Sequence, residues 1–218
     1  MCLAVLAGCA SGPADTILDE SGQHYLDQLL ITAVRDGDAE AVEAFLGAGA
    51  NPDAKTRSYW TALMAGAWRG YTEIVRILLA AGADINAKNR YDSTALMAAS
   101  SAGHADTIRV LLEAGARVNA RGVFGWTALM EAAGRFGSPA AVKALVDAGA
   151  DVNARDDYGG TALHRAAFSS QARSVEILLA AGADVQLEDE AGRTATQVAV
   201  EEGHTEIVDI LGRAPSPL

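Results

Sequence analysis

The tripeptide Thr-Ala-Leu begins at Thr61, Thr94, Thr127 and Thr161, and a Thr-Ala-Thr variant begins at Thr194. Successive threonines lie 33, 33, 34 and 33 residues apart. A chain that repeats at that interval builds its core by stacking copies of one small unit, not around a single centre. Glycines share the period. Gly70, Gly103 and Gly203 follow their threonines by nine residues, and Gly137 is one place late, which puts an insertion near Phe136. Gly82, Gly115, Gly149 and Gly182 close a later apolar run. Read backwards in the same frame, Gly37 and Gly49 mark an earlier unit, with Gln28 at the threonine position. The frame gives six units at 22–55, 56–88, 89–121, 122–155, 156–188 and 189–214, with a short tail at 215–218.

Each unit reads as helix, turn, helix, loop. The threonine hydroxyl can accept an orphan amide of the first helical turn, so it serves as N-cap. A short helix such as 62–69 follows, and Gly70 supplies a left-handed turn. The second helix is apolar at helical spacing, as at Ile74, Val75, Leu78 and Leu79. Two helices of this size cannot bury their apolar faces alone, so an all-α solenoid is expected. The end units differ from the rest. The first has no threonine and is expected to start its helix near Ser21 as N-cap. The last carries Thr196 where other units have leucine, with Gln197, Glu201 and Glu202 on the same helix, a polar face suited to a stack end.

These residues resemble the ankyrin repeat. The family's Thr-Pro-Leu-His helix start stands here as Thr161-Ala162-Leu163-His164, and its Gly-Ala-Asp-Val-Asn exit as Gly149-Ala150-Asp151-Val152-Asn153. The proline is alanine throughout, and the histidine is Met64, Met97 or Met130 in other units. The resemblance implies a concave surface made of turn tips and first helices, where a protein partner binds.

Composition removes several other functions. The net charge is −11, so a nucleic-acid partner is disfavoured. No apolar run is long enough to span a bilayer. His104 and His204 share one repeat position and His164 sits in the helix-start motif, which marks all three as structural. No histidine or cysteine pair has metal-ligand spacing, and the glycines are caps, not a phosphate loop. Asp156-Asp157 and Glu188-Asp189-Glu190 lack the spacing of a calcium loop. We expect no catalytic residues, no metal and no cofactor.

The aromatic residues are distributed unevenly. Tyr59, Trp60, Tyr91, Phe124, Trp126 and Tyr158 fall at turn positions, and Trp68, Phe136 and Phe168 at the end of a first helix. Only Tyr25, Phe45 and Tyr71 fall elsewhere. Trp60 and Trp126 directly precede a capping threonine, a place where a ring also packs on its own turn. Charge follows the same geography. Residues 1–54 hold nine acids and one base (−8), residues 55–155 eight acids and twelve bases (+4), and residues 156–218 eleven acids and four bases (−7). Arg57, Arg69, Arg90 and Arg135 stand beside the aromatics in the central block. Together these residues predict a mixed aromatic and arginine surface on a monomer, suited to a protein partner with an acidic patch and an apolar anchor.

The N-terminus carries a different signal. Leu6-Ala7-Gly8-Cys9 looks like a bacterial lipobox, with Cys9 as lipid acceptor and residues 10–21 as a polar tether. No Lys or Arg precedes Arg35, so the positive start of a signal segment is missing from residues 1–9. The reading implies an upstream piece and a lipoprotein on the periplasmic face of the outer membrane, with the lipid as its only membrane contact. An inhibitor of immunity type fits that compartment. The alternative is a cytoplasmic adaptor regulating a stress or redox enzyme.

Overall fold

The computed structural model describes residues 20–213, except Arg57, Arg135 and Gly137. The segment with Cys9 and the tail at 215–218 lie outside the described residues. Twelve α-helices follow one another among the described residues: α1 (Glu20–Asp36), α2 (Ala39–Gly47), α3 (Ala62–Arg69), α4 (Thr72–Ala80), α5 (Ala95–Ser101), α6 (Ala105–Glu113), α7 (Ala128–Ala133), α8 (Pro139–Asp147), α9 (Ala162–Phe168), α10 (Ala172–Ala180), α11 (Ala195–Glu201) and α12 (Thr205–Gly212). They form six antiparallel pairs. The odd-numbered helices pack in chain order into one layer, and the even-numbered helices into a second. This is the expected all-helical solenoid.

The five threonines act as the sequence requires. Thr61, Thr94, Thr127, Thr161 and Thr194 each accept a hydrogen bond from the third amide of the following helix. Gly70 is left-handed at φ 71° and turns α3 into α4. At the N-terminus the structure departs from expectation. Helix α1 already includes Glu20 and Ser21, so Ser21 is a helical residue and not the N-cap. Gln28, at the threonine position, sits inside the same helix. Only Gly22 interrupts a run otherwise compatible with helix, and one glycine costs about 1 kcal/mol, too little to stop the helix there.

The core repeats with the chain. Leu63, Leu96, Leu129 and Leu163 are fully buried on the first helices, and Leu78, Leu111, Leu145 and Leu178 face them from the second helices. Each such leucine stabilises the fold by about 1.5–3 kcal/mol. Ala67, Ala99, Ala133 and Ala167 are equally buried and keep the layers close. Units are also joined by polar side chains. Asp53, Asn86, Asn119 and Asn153 each reach into the next unit and accept its backbone amide, at Asp84, Arg117, Asp151 and Asp184, over 2.8–3.0 Å. The asparagine of the exit motif is therefore an inter-unit tie. Three histidines do similar work. His104 Nε2 meets the Trp68 carbonyl at 3.1 Å, and His204 Nε2 the Phe168 carbonyl at 3.1 Å. His164 receives the Thr161 amide on Nδ1, so Nε2 carries the proton it donates to the Arg193 carbonyl.

Candidate protein-binding surface

The loops before each first helix end in hairpin-like tips. Lys55 and Glu188 make isolated antiparallel bridges to Thr61 and Thr194. Tyr91, Phe124 and Tyr158 hold the same place, three residues before the threonine, in successive units. Their exposures are 56%, 50% and 55%. Backbone hydrogen bonds join tip to tip: Val123 N to Tyr91 O at 3.0 Å, Asp157 N to Phe124 O at 2.9 Å, and Glu190 N to Tyr158 O at 2.9 Å. The rings thus stand in register on a stitched backbone. The Phe124 ring lies 5.9 Å from Tyr158 and 6.3 Å from Trp126. One unit earlier, the Arg90 guanidinium lies 5.1 Å from the centre of the Tyr59 ring.

Backbone strain marks the same tips. The residue two before each threonine is left-handed in all five units: Tyr59, Asp92, Gly125, Gly159 and Gly192. Glycine takes that conformation freely, whereas a tyrosine there costs about 1–2 kcal/mol. Phe124 is also left-handed, at φ 62°. Two large rings therefore occupy strained positions and remain half exposed. Core packing gives no reason for that placement, and such strain clusters at sites of recognition.

Behind the tips, the first helices form a groove floor. Trp60 and Trp68 line the depressions on both sides of α3. The Arg69 guanidinium lies 5.8 Å from the Trp68 ring centre. Further along, Arg165 stacks on the half-buried Trp126 ring at 3.7 Å. Arg165 Nε and Trp126 Nε1 are both buried without a hydrogen-bond partner. Glu131 lies nearby on α7. Burial pushes its carboxyl above the usual glutamate value, and the charge of Arg165 and a hydrogen bond from Ser101 pull it part of the way back. Burial likewise lowers the pKa of Arg165, against the opposing charges of Glu131 and Asp156. Both groups have lost more hydration than they return to each other. Next along, burial works against the Asp189 charge, but hydrogen bonds from Arg193 outweigh it and hold the carboxyl below the usual range. Arg193 reaches Asp189 at 2.8 Å and Glu201 at 3.0 Å.

A family model described as ankyrin repeats (3 copies) matches residues 29–122 and 119–189. The chain belongs to the ankyrin repeat family. A comparison with curated proteins found no match. Ankyrin arrays are in general non-catalytic modules that bind protein partners. Among the described residues, no group of three or more His, Cys, Asp or Glu could hold a metal ion. No described helix is long and apolar enough to cross a membrane.

Within this ankyrin array the sequence-derived site residues separate into two rows. Tyr59, Tyr91, Phe124 and Tyr158 lie on the tips with Arg90. Trp68 and Phe168 stand at the far ends of α3 and α9, with Arg69, and Phe136 stands in the turn three residues past the end of α7. A seven-residue helix such as α9 puts about 10 Å between the rows. The mixed aromatic and arginine surface is thus laid out as two parallel lines, Tyr91 and Phe124 in one and Phe136 and Phe168 in the other. Trp60 and Trp126 are half-buried between them, packed against the core. Arg57 and Arg135, like Cys9, lie outside the described residues. Sequence reasoning did not single out Glu131, Arg165 or Arg193 for the surface. A signal existed: four residues past the threonine, the units read Ala65, Ala98, Glu131, Arg165 and Val198, so charge enters this column only in the two central-to-late units.

Proposed function

We propose that this ankyrin array is a non-catalytic scaffold or inhibitor that holds one protein partner across its hairpin tips and groove. The observation that carries the reading is the ridge of Tyr91, Phe124 and Tyr158, half exposed and locked in register by tip-to-tip backbone bonds. Rigid exposed rings give large contact area at small entropic cost, and contiguous ones mark interaction surfaces. Arg90 over the Tyr59 ring and Arg69 over the Trp68 ring suit acidic groups on the partner around an apolar anchor. A photo-reactive residue at position 124 tests this. It should cross-link one partner protein in cells, and the same residue at Arg109, exposed on the second helix α6, should not. Equal labelling from both positions would remove the reading.

The Leu6-Ala7-Gly8-Cys9 sequence supports a finer proposal: Cys9 is lipidated and the array works on the periplasmic face of the outer membrane. An immunity-type inhibitor of a toxic enzyme is the version that combines this compartment with a binding groove. Loss of palmitate label in Cys9→Ser, made with its upstream reading frame, is the expected result. Equal label in both proteins would count against the anchor.

A further inference from the structure

A pocket of about 200 Å3 opens in the groove between α3, α5 and α7. That is below the range of sites that enclose drug-sized ligands, and it has room for one side chain. Trp60, Trp68, Met64 and Met97 supply apolar and aromatic wall, and Ser101 supplies a hydroxyl. Among the described residues that line it, Glu131 is the one that carries a charge. Ser101 lines the same pocket beside it. Among the described residues, two arginines lie near: the charge of Arg165 reaches Glu131, and Arg69 lines the next depression, toward α1. Arg165 lies on the Trp126 ring. No ion pair joins Glu131 to either of them among the described residues. A partly buried carboxylate that shares a pocket with two indole rings is the chemistry that receives a cation on an aliphatic stem.

We propose that this pocket receives a lysine or arginine side chain of the protein partner, its cationic head against Glu131 and its stem between Trp60 and Trp68. The proposal rests on the protein-binding reading and gives it a specific anchor. The partner then presents one basic side chain to the pocket, with acidic groups around it facing Arg69 and Arg90.

The test needs no knowledge of the partner. The chain has three tryptophans, so their indole N–H resonances form a sparse NMR reporter in the full protein. Four short capped peptides serve as probes, with a central lysine, arginine, norleucine or glutamate between alanines. The lysine or arginine peptide should shift the Trp60 and Trp68 indoles saturably, and the norleucine and glutamate peptides should not. Glu131→Gln should weaken the cationic peptide about ten-fold while leaving the unliganded indole spectrum dispersed. Arg109→Ala, on the second helix α6 away from the groove, should bind as the wild type does. Equal binding of the norleucine peptide, undiminished binding by Glu131→Gln, or no saturable shift with any probe would overturn the pocket. None of those results would touch cross-linking from position 124, so the failure of the anchor and the failure of the binding surface are separable.

Discussion

Glu131 and Arg165 stand where other units carry alanine or valine, and this single column changes the electrostatics of the groove. Each is partly buried, and neither is hydrogen-bonded to the other among the described residues. The sign of the consequence follows from the shift. The folded state raises the pKa of Glu131 and so holds its proton more tightly than the unfolded chain does. Its contribution to stability is therefore best below the ordinary glutamate value and declines as pH rises from there through the raised value. Asp189 runs the other way: its lowered pKa contributes stability above the ordinary aspartate value, lost as pH falls through the lowered one. Urea unfolding across the acid-to-neutral range separates the two groups. Glu131→Gln should abolish the decline toward neutral pH and leave the acid limb of Asp189 in place. Parallel wild-type and variant curves would show that Glu131 is not perturbed by folding.

At the scale of helices and loops, much of the architecture was legible. The threonine period located the caps, and Gly70 and Gly82 located the turns, because each depends on local backbone chemistry that a residue type imposes. The first helix was less legible. A start at Ser21 was expected from capping preference, but the helix runs through it, since a weak local signal loses to a long helix-compatible stretch. The binding surface was legible only in part. Aromatic residues could be assigned to tips or helix ends, yet whether they formed one line or two depended on helix length and direction. Half-burial of Trp60 and Trp126 likewise depended on neighbours thirty or more residues away. The exit-motif asparagines illustrate the difference. Their position was plain in the sequence, but their role as ties to the next unit appears only in three dimensions. Asn119→Ala removes the bond to the Asp151 amide and should cost about 1 kcal/mol in chemical denaturation, with helical content unchanged. No loss of stability would show that the tie contributes nothing net.

For the whole molecule, the stack turns a repeated sequence into an extended surface. Neighbouring units supply core to each other, so each tip is freed from burying its own ring. Units differ at the tips and along the groove and agree in the core, and that division lets one scaffold carry a specific site. Charge has the same logic. The net −11 is the sum of two acidic ends and a central block at +4, and the aromatic ridge crosses the centre. The central claim is that this ridge, not the acidic ends or the second-helix face, holds the partner. Combined replacement of Arg90, Tyr91 and Phe124 by alanine, measured by titration against the cross-linked partner, tests it most directly. The account expects binding to weaken by about a hundred-fold or more, with the far-ultraviolet circular dichroism of the twelve-helix array retained. Wild-type affinity in a folded triple variant would contradict it.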